Sequence, residues 1–256
     1  MLQNKSLKIG IFASNVVGYK LLKYIIKKKT KIEYVVTYDD LYENDIIKLC
    51  ETNDIQVEKR LDINSEKFVN LNKEKSIDLV FMLWFPTIVK SESLKSVKKG
   101  FINLHPSYLP YNRGMHPYYW SIVDGNQAGT SIHFIDENID EGKVLFQKKI
   151  DFDITDTGDS LYEKNMEETI TLFKDSFQRI LDGNYIETSV DNTKGSFHYS
   201  KELFKHSKIE LDKKYKAIDL INIIRARTFG ESGGSYFYLD GKKYKVRLNV
   251  EENKDE

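Results

Sequence analysis

Short apolar segments alternate with segments of helical periodicity through the first half of the chain, and this alternation constrains the fold more than any other feature. Residues 7–13, 32–37 and 77–83 are apolar and of strand length, and helical spacing occurs at residues 21–26, 41–52 and 65–75. The segment Ile-Asp-Leu-Val-Phe-Met-Leu at 77–83 is almost continuously apolar, as in strands buried on both faces. The sequence therefore predicts an α/β class, with a Rossmann-like, mostly parallel sheet and covering helices.

In such a sheet the ligand-binding residues lie at the carboxyl ends of the strands. The first turn does not contain a dinucleotide fingerprint, because Gly10 and Gly18 stand alone without G-x-G-x-x-G, so a bound dinucleotide is disfavoured. The remaining predicted elements of this part are strands at 55–57, 101–104, 129–135 and 143–150 and helices at 118–123 and 159–180. Thr157 or Asp159 is expected to cap the last helix.

The βα pattern stops near residue 184, which predicts a domain at 1–183 and a C-terminal extension at 184–256. The extension is expected to be a small α+β region with a helix at 210–226 and a β-hairpin at 236–246, whose turn is Asp240-Gly241. Aromatic and charged residues alternate in this hairpin. An exposed aromatic face there would favour a homodimer, and packing on its own domain is the alternative.

The composition narrows the class of protein. The 39 basic and 39 acidic residues cancel, so the chain lacks the overall basic field of nucleic-acid-binding proteins, and no nucleic-acid partner is expected. The single cysteine, Cys50, lies in an apolar helical pattern and is interpreted as a core residue. A chain with one cysteine cannot form an internal disulfide, which fits a reducing compartment. No stretch approaches the roughly 20 apolar residues of a membrane span or resembles a signal peptide. We expect a soluble, cytoplasmic protein without a membrane partner.

Three polar residues suggest a catalytic centre. Asn103 and His105 are two apart on a predicted strand, so both side chains point to one face at its carboxyl end. Asp140 follows the strand that carries His133, and an Asp near a His can orient the imidazole. Acyl transfer to an amine needs donors for an oxyanion and a proton shuttle, and Asn, His and Asp supply these functions.

This spacing alone also allows other roles. An Asn-x-His pair at a strand end can serve as a cap or a satisfied core pair. A zinc site from His105, His133 and Asp140 is conceivable, but the Cys or paired-His spacing of zinc motifs is missing, so no metal is expected.

A resemblance raises the catalytic interpretation above these alternatives. Residues 101–114, Phe-Ile-Asn-Leu-His-Pro-Ser-Tyr-Leu-Pro-Tyr-Asn-Arg-Gly, resemble the signature of the folate-dependent formyltransferase family. Residues 130–136 and 139–142 are similar to its second block in order and spacing. The resemblance places the family's catalytic set on Asn103, His105 and Asp140 and implies 10-formyltetrahydrofolate as the formyl donor.

Residues 109–117, followed by Trp120, resemble the nucleotide-sugar N-formyltransferase branch. The resemblance implies formylation of an amino group on a dTDP- or UDP-linked deoxysugar, with a dTDP-linked 3- or 4-amino-dideoxyhexose favoured. Such a sugar would serve cell-surface polysaccharide synthesis, as in the lipopolysaccharide O-antigen. The alternatives are a methionyl-tRNA or phosphoribosylglycinamide formyltransferase, and a non-catalytic folate- or nucleotide-binding module.

The resemblance also suggests binding residues. For the folate these are the strand end and a later loop: Met82, Leu83, Trp84, Phe85, Ile135 and Asp136. A buried strand end with an aromatic plug is the alternative for the first four. For the sugar nucleotide they are Tyr111, Asn112, Arg113, Tyr199, Lys201, Arg225 and Phe229. Each of these could instead pack or lie on a solvated surface.

Overall fold

The structure is a computed structural model, and it describes residues 7–38 and 44–253. Its internal contacts divide it into two compact units. Unit 1 comprises residues 1–105, 131–146 and 169–190, and unit 2 comprises residues 106–130, 147–168 and 191–256, within the described ranges. The predicted domains, 1–183 and 184–256, are each continuous in sequence, whereas each of these units combines several segments. The predicted domain boundary stays a prediction.

The secondary structure alternates as the sequence predicts. The strands are β1 Ile9–Ala13, β2 Ile32–Thr37, β3 Val57–Lys59, β4 Leu79–Leu83, β5 Phe101–His105, β6 Arg113–Gly114, β7 Ala128–Phe134, β8 Val144–Ile150, β9 Phe197–His198, β10 Ser235–Leu239 and β11 Lys242–Val246. The α-helices are α1 Asn15–Lys27, α2 Asn44–Thr52, α3 Glu66–Lys75, α4 Ser91–Lys95, α5 Pro117–Asp124, α6 Gly158–Leu181, α7 Ser200–His206 and α8 Ala217–Arg227. Residues 41–43, where the second helix was predicted to begin, lie outside the described residues.

Within the described ranges, the main sheet has seven strands in the order β3-β2-β1-β4-β5-β7-β8. The pairs β2–β3, β1–β2, β1–β4 and β4–β5 are parallel, and β7 runs antiparallel to β5. The predicted Rossmann-like, mostly parallel sheet is therefore confirmed. Because β4 and β5 are parallel neighbours, their carboxyl ends share one edge, and Met82 pairs with Asn103 there.

Unit 1 is held by an aromatic core. Phe12 contacts Phe68 and Phe85 edge to face, with ring centroids 5.4 and 5.1 Å apart. All residues of β1 and β4 are buried, which matches their continuous apolar sequences. Cys50 is also buried, as predicted, and burial raises the pKa of its thiol to about 12. A thiol in that environment is a packing group rather than a nucleophile.

Unit 2 has its own core, built from Tyr119, Trp120, Leu161, Leu203 and neighbouring apolar side chains. The predicted Thr157 cap is confirmed, because its Oγ1 accepts a hydrogen bond from the Ser160 amide at 3.3 Å.

The hairpin of unit 2 is also confirmed. β10 pairs antiparallel with β11, and Asp240 and Gly241 turn between them with φ values of 48° and 74°.

Two predictions for unit 2 are wrong. The helix expected at 210–226 begins only at Ala217, because residues 210–216 form a turn instead: the Lys213 amide donates to the Glu210 carbonyl at 3.0 Å, and the Glu210 amide donates to the Tyr215 hydroxyl at 3.1 Å. The helix α7 was not predicted. In unit 1, the short third strand lies two residues later than the predicted 55–57.

No helix of the described ranges combines the length and apolar character that a membrane crossing requires.

Candidate active site

Strand β5 presents the first two residues of the candidate site. Asn103 is half-buried and His105 is 5% exposed. Both lie on one face of the strand because side chains alternate along it. Across the antiparallel pairing, Asn103 stands opposite His133 of β7 and His105 opposite Ser131. The register thus brings the polar residues of two neighbouring strands to one end of the sheet.

The loop after β7 adds a carboxylate. Asp140 has a left-handed backbone with φ of 55°, which an Asp tolerates better than most residues. Its Oδ2 lies 3.5 Å from His105 Nδ1, and its Oδ1 lies 3.6 Å from His133 Nε2. One carboxylate therefore lies between two imidazoles, and the predicted Asn103, His105 and Asp140 are brought together within unit 1.

His133 is a member of this cluster that the predicted catalytic set did not include. It is 1% exposed, and its Nε2 lies 3.3 Å from Asn103 Nδ2 while its Nδ1 lies 2.8 Å from the Phe134 carbonyl oxygen. A signal was available in the sequence. If 129–135 is a strand beside 101–104, a His on it can face the Asn-x-His pair, but the register between the strands is not readable from a single chain.

The residues predicted to hold the folate begin one strand away. Met82, Leu83 and Phe85 are buried in the core, at 1%, 0% and 7% exposure. Trp84 is half-buried and has a left-handed backbone with φ of 54°. Its carbonyl accepts a hydrogen bond from Ser14 Oγ at 2.5 Å. The loop after β1 therefore braces the end of β4.

The later folate candidates lie at the end of β7. Ile135 packs against the aromatic core of unit 1, and its amide donates to the Phe101 carbonyl at 2.8 Å. Asp136 is exposed, and its Oδ1 accepts from the Asn138 amide at 2.9 Å. Their contact with a folate stays a prediction.

The cluster on β5, β7 and the Asp140 loop can perform acid–base chemistry on a carbonyl. An amide and an imidazole can donate to a carbonyl oxygen as it gains negative charge. A carboxylate beside the imidazole orients the ring and stabilises its protonated form. The described residues contain no grouping of three or more His, Cys, Asp or Glu side chains arranged to hold a metal ion.

Comparison with known families identifies the chain. The model named "Formyl transferase" matches residues 28–175, which is more than half of the chain. The chain belongs to the formyl transferase family. A second model, "N-formyltransferase dimerization C-terminal domain", matches residues 202–252.

Individual relatives of this formyl transferase are sugar enzymes by name. A dTDP-4-amino-4,6-dideoxyglucose formyltransferase of Mycobacterium tuberculosis is 30% identical over 154 residues, covering 60% of this chain and 65% of the relative. A GDP-perosamine N-formyltransferase of Brucella abortus is 29% identical over 170 residues, covering 66% and 64%. The chain thus matches slightly less than two thirds of the length of these relatives. The crystal structure of a 4-N formyltransferase from Francisella tularensis has a TM-score of 0.81 at 25% identity, with 97% of this chain and 99% of that chain covered.

Unit 2 of the formyl transferase holds the residues predicted to bind the sugar nucleotide, and two of them are engaged by their own unit. Asn112 is fully buried: its Nδ2 donates to Ser121 Oγ at 2.9 Å, and its Oδ1 accepts from Ser196 Oγ at 2.9 Å. Arg225 is 4% exposed and donates from Nη1 to the carbonyls of Asp153 and Asp156 at 2.8 and 2.6 Å. These bonds favour a structural role for both residues over a contact with phosphate.

The other sugar-nucleotide candidates differ in accessibility. Tyr199 is 56% exposed, and Lys201 places its ammonium 5.8 Å from the Tyr199 ring centroid. Phe229 packs between Tyr118 and Tyr162, with centroid distances of 5.4 and 5.2 Å. Arg113 is 8% exposed, and Tyr111 is half-buried. Tyr199 and Lys201 offer an accessible aromatic ring and an ammonium group, which could contact the base and the phosphates of a nucleotide. Their contact with substrate stays a prediction.

Proposed function

We propose that this formyl transferase moves the formyl group of 10-formyltetrahydrofolate to the amino group of a nucleotide-linked amino-deoxysugar. The observation that carries the proposal is the position of Asn103, His105 and Asp140 at one end of the unit 1 sheet. His105 Nδ1 and Asp140 Oδ2 lie 3.5 Å apart there. The names of the relatives support the sugar acceptor, because those proteins are described as formyltransferases of 4-amino-4,6-dideoxyglucose and perosamine.

The donor set fits a formyl carbonyl. Asn103 and His105 lie at the carboxyl end of β5, next to Met82 at the end of β4, and both carry N–H groups that a carbonyl oxygen accepts. Parallel sheets bind their ligands at this edge. We therefore propose that 10-formyltetrahydrofolate binds along residues 82–85 and the Ile135–Asp136 segment, with its formyl oxygen toward Asn103.

The residues of the chain would act on the transfer as follows. The amine nitrogen forms a bond to the formyl carbon, and the bond from that carbon to the folate nitrogen breaks. Asn103 and His105 donate to the oxygen as it becomes negatively charged. His105 passes a proton to the departing folate nitrogen, and the substrate amine loses one, so the protons balance. Asp140 holds the His105 ring and stabilises its charged form.

The acceptor that the relatives support best is a 4-amino sugar on dTDP. One relative is named for a dTDP-4-amino sugar, and the Francisella tularensis protein is described as a 4-N formyltransferase. A GDP-linked sugar is the second candidate, because the Brucella relative is named for GDP-perosamine. We keep cell-surface polysaccharide synthesis, as in O-antigen, and a cytoplasmic location as parts of this proposal.

An acceptor panel tests the function. Purified protein with 10-formyltetrahydrofolate would be offered dTDP-linked 3-amino and 4-amino dideoxyhexoses, a UDP-linked amino sugar, GDP-perosamine, methionyl-tRNA and phosphoribosylglycinamide, with formylated product measured by mass spectrometry. We expect a product from a nucleotide sugar. A product from only the tRNA or the purine precursor would assign a different acceptor. No product from any acceptor, with folate binding intact, would identify a non-catalytic binding module.

We further propose that the protein is a homodimer assembled through the hairpin of unit 2. The matching C-terminal model is named as a dimerization domain and includes the whole hairpin. One hairpin face carries Phe237, Leu239, Tyr244 and Val246 together with Ser235 and Lys242, and the Phe237 and Tyr244 rings are stacked at 5.4 Å. Leu239 is 48% exposed and Tyr244 is 42% exposed, and an apolar face of this kind is typical of a subunit contact.

Light scattering after size-exclusion chromatography tests the dimer. The wild-type chain is expected to have the mass of two copies, and Leu239→Lys with Tyr244→Lys is expected to have the mass of one. Lys243→Glu, on the opposite face of the same strand, is the matched control and should stay dimeric. A monomeric wild type, or a double variant that still dimerises, would contradict this assembly.

A further inference from the structure

We propose that His133 and Gly142 are positioning residues that fix the direction of the Asn103 side-chain amide. This inference rests on the proposed function, because the amide matters as an oxyanion donor. The structural observation behind it is a chain of contacts within unit 1. Gly142 packs on the Phe134 carbonyl, this carbonyl accepts from His133, and His133 meets Asn103.

The Phe134 carbonyl determines which nitrogen of His133 carries the proton. His133 Nδ1 lies 2.8 Å from that carbonyl oxygen, and a carbonyl can only accept. Nδ1 must therefore carry a hydrogen. In the neutral ring the other nitrogen, Nε2, is then an acceptor, since neutral imidazole has one donor and one acceptor.

An acceptor at Nε2 in turn orients Asn103. The Asn103 amide group lies 3.3 Å from Nε2, so its nitrogen rather than its oxygen must face the ring. The amide nitrogen has two hydrogens. One is donated to His133, and the other keeps a fixed direction in which it can donate to the formyl oxygen. An amide turned by 180° would present its own oxygen to the developing charge and repel it.

Protonation of His133 would reverse this arrangement. Nε2 would become a donor toward Asp140 Oδ1, which lies 3.6 Å away, and Asn103 would have to turn its oxygen to the ring. The charged and polar groups that face His133 are Asn103 on β5, Asp140 in the following loop and the T-shaped His105 ring at 6.3 Å. The neutral, Nδ1-protonated ring is the form that leaves Asp140 to His105.

Gly142 keeps the carbonyl in place. A Cβ at residue 142 would overlap the Phe134 carbonyl oxygen, and its carbon would be 2.8 Å away. The neighbour is backbone, so it cannot yield as a flexible side chain would. Any side chain at 142 must therefore displace the group that selects the His133 tautomer. This accounts for a glycine two residues after Asp140 at a position whose φ does not itself require one.

Nitrogen-15 NMR tests the tautomer without any assay of activity. Long-range nitrogen–proton spectra of the whole protein should show His133 protonated at Nδ1 and bare at Nε2. Gly142→Ala should lose this single form, while Gly183→Asn should keep it. Gly183 is in the same unit, no described atom lies within 4 Å of a Cβ added there, and its φ of 70° falls in a region that Asn tolerates. A wild-type His133 protonated at Nε2, or a Gly142→Ala protein with the wild-type spectrum, would overturn the inference.

Kinetics test the consequence once an acceptor is known. His133→Phe keeps the ring but removes the acceptor, and we expect kcat to fall on the order of 100-fold, the usual effect of losing one oxyanion donor, with little change in either KM. His133→Gln, whose side-chain oxygen can accept from Asn103, should recover most of that loss.

The effects of His133→Phe and of a substitution at Asn103 must also be coupled. In an Asn103→Ala background, His133→Phe should cost less than about twofold more, because the group it positions is gone. Fully additive losses would show that His133 acts as a packing residue alone. If the wild type formylates no acceptor, the proposed function fails, and the NMR result still decides the tautomer and the role of Gly142.

Discussion

Each unit of this formyl transferase contains a cluster of histidine and carboxylate side chains, and the two clusters have opposite stoichiometry. In unit 1 a single carboxylate, Asp140, lies between the imidazoles of His105 and His133 at 3.5 and 3.6 Å. In unit 2 a single imidazole, His198, lies between two carboxylates, those of Asp124 at 3.6 Å and Glu202 at 3.2 Å.

The difference separates a ring placed for proton transfer from a ring held by packing. His105 lies at the carboxyl end of β5 with the Asp140 carboxylate 3.5 Å from its Nδ1, an arrangement suited to general acid–base chemistry on a carbonyl. His198 is hydrogen-bonded through Nδ1 to Glu202 and stacked on Trp120, with ring centroids 3.9 Å apart at 8°. Its Nε2 is buried and makes no hydrogen bond among the described residues, although Asp124 lies 3.6 Å away. The unit 2 cluster therefore has the properties of a structural contact rather than of a proton shuttle.

The largest effect expected from this comparison is on catalysis at His105. His105→Asn keeps a donor but removes the group that exchanges protons, so kcat should fall by roughly two to four orders of magnitude, the usual contribution of general acid–base catalysis. Substrate KM should change little. The measurement is steady-state formyl transfer with the best acceptor from the panel.

The matched control is the same substitution in the other cluster. His198→Asn should leave kcat per folded molecule at the wild-type value. Similar losses in both variants would show that the two clusters do not differ as proposed.

A smaller effect is expected from the carboxylate. Asp140→Asn keeps the size of the side chain but removes the charge that stabilises protonated His105. We expect kcat to fall roughly 100-fold, in the range of general acid–base contributions. The loss should appear in kcat rather than in KM. Wild-type kcat in this variant would remove Asp140 from the proton path.

The comparison also shows what the sequence could predict. The strand carrying Asn103 and His105 was predictable because period-two spacing fixes their common face, and the apolar run at 77–83 indicated the central strand. The position of His133 opposite Asn103 was not predictable from the sequence, because it depends on the register between β5 and β7.

Unit 2 was predicted less well because long-range contacts determine it. Residues 210–216 form a turn rather than the predicted helix, directly after Ile209, whose amide donates to the Tyr236 carbonyl of β10. Arg225 appeared as a phosphate-binding candidate although it donates to backbone carbonyls 69 and 72 residues earlier. The charge and spacing of residues do not predict either result, because no sequence motif indicates which distant backbone groups will accept a hydrogen bond.

An intermediate effect concerns the stability of unit 2. His198→Gln removes the ring stacked on Trp120 and leaves Asp124 and Glu202 without the imidazole. We expect the free energy of unfolding to fall by about 1–2 kcal/mol, as for other losses of charge-assisted hydrogen bonds. Denaturant unfolding measures it, with formyl transfer per folded molecule unchanged. An unchanged midpoint would mean that the stacked ring contributes nothing to the fold.

The smallest effect is a pH dependence of stability that belongs to unit 2. Burial, and then the positive charge of Arg227, lower the pKa of His116 below its ordinary 6.5. The unfolded chain therefore binds this proton more readily than the folded chain. The contribution to stability is complete above pH 6.5 and is lost as the pH falls through the lowered pKa. Tm should accordingly decrease between pH 7 and 5.

His116→Asn tests this assignment without straining the backbone, because His116 has a φ of 61° and Asn is well tolerated in that region. The variant cannot titrate, so its Tm should depend less on pH than that of the wild type in calorimetric scans from pH 8 to 5. Some dependence should persist, since burial also lowers the pKa of His206. A variant whose Tm falls as steeply as the wild type's would move the acid sensitivity away from His116.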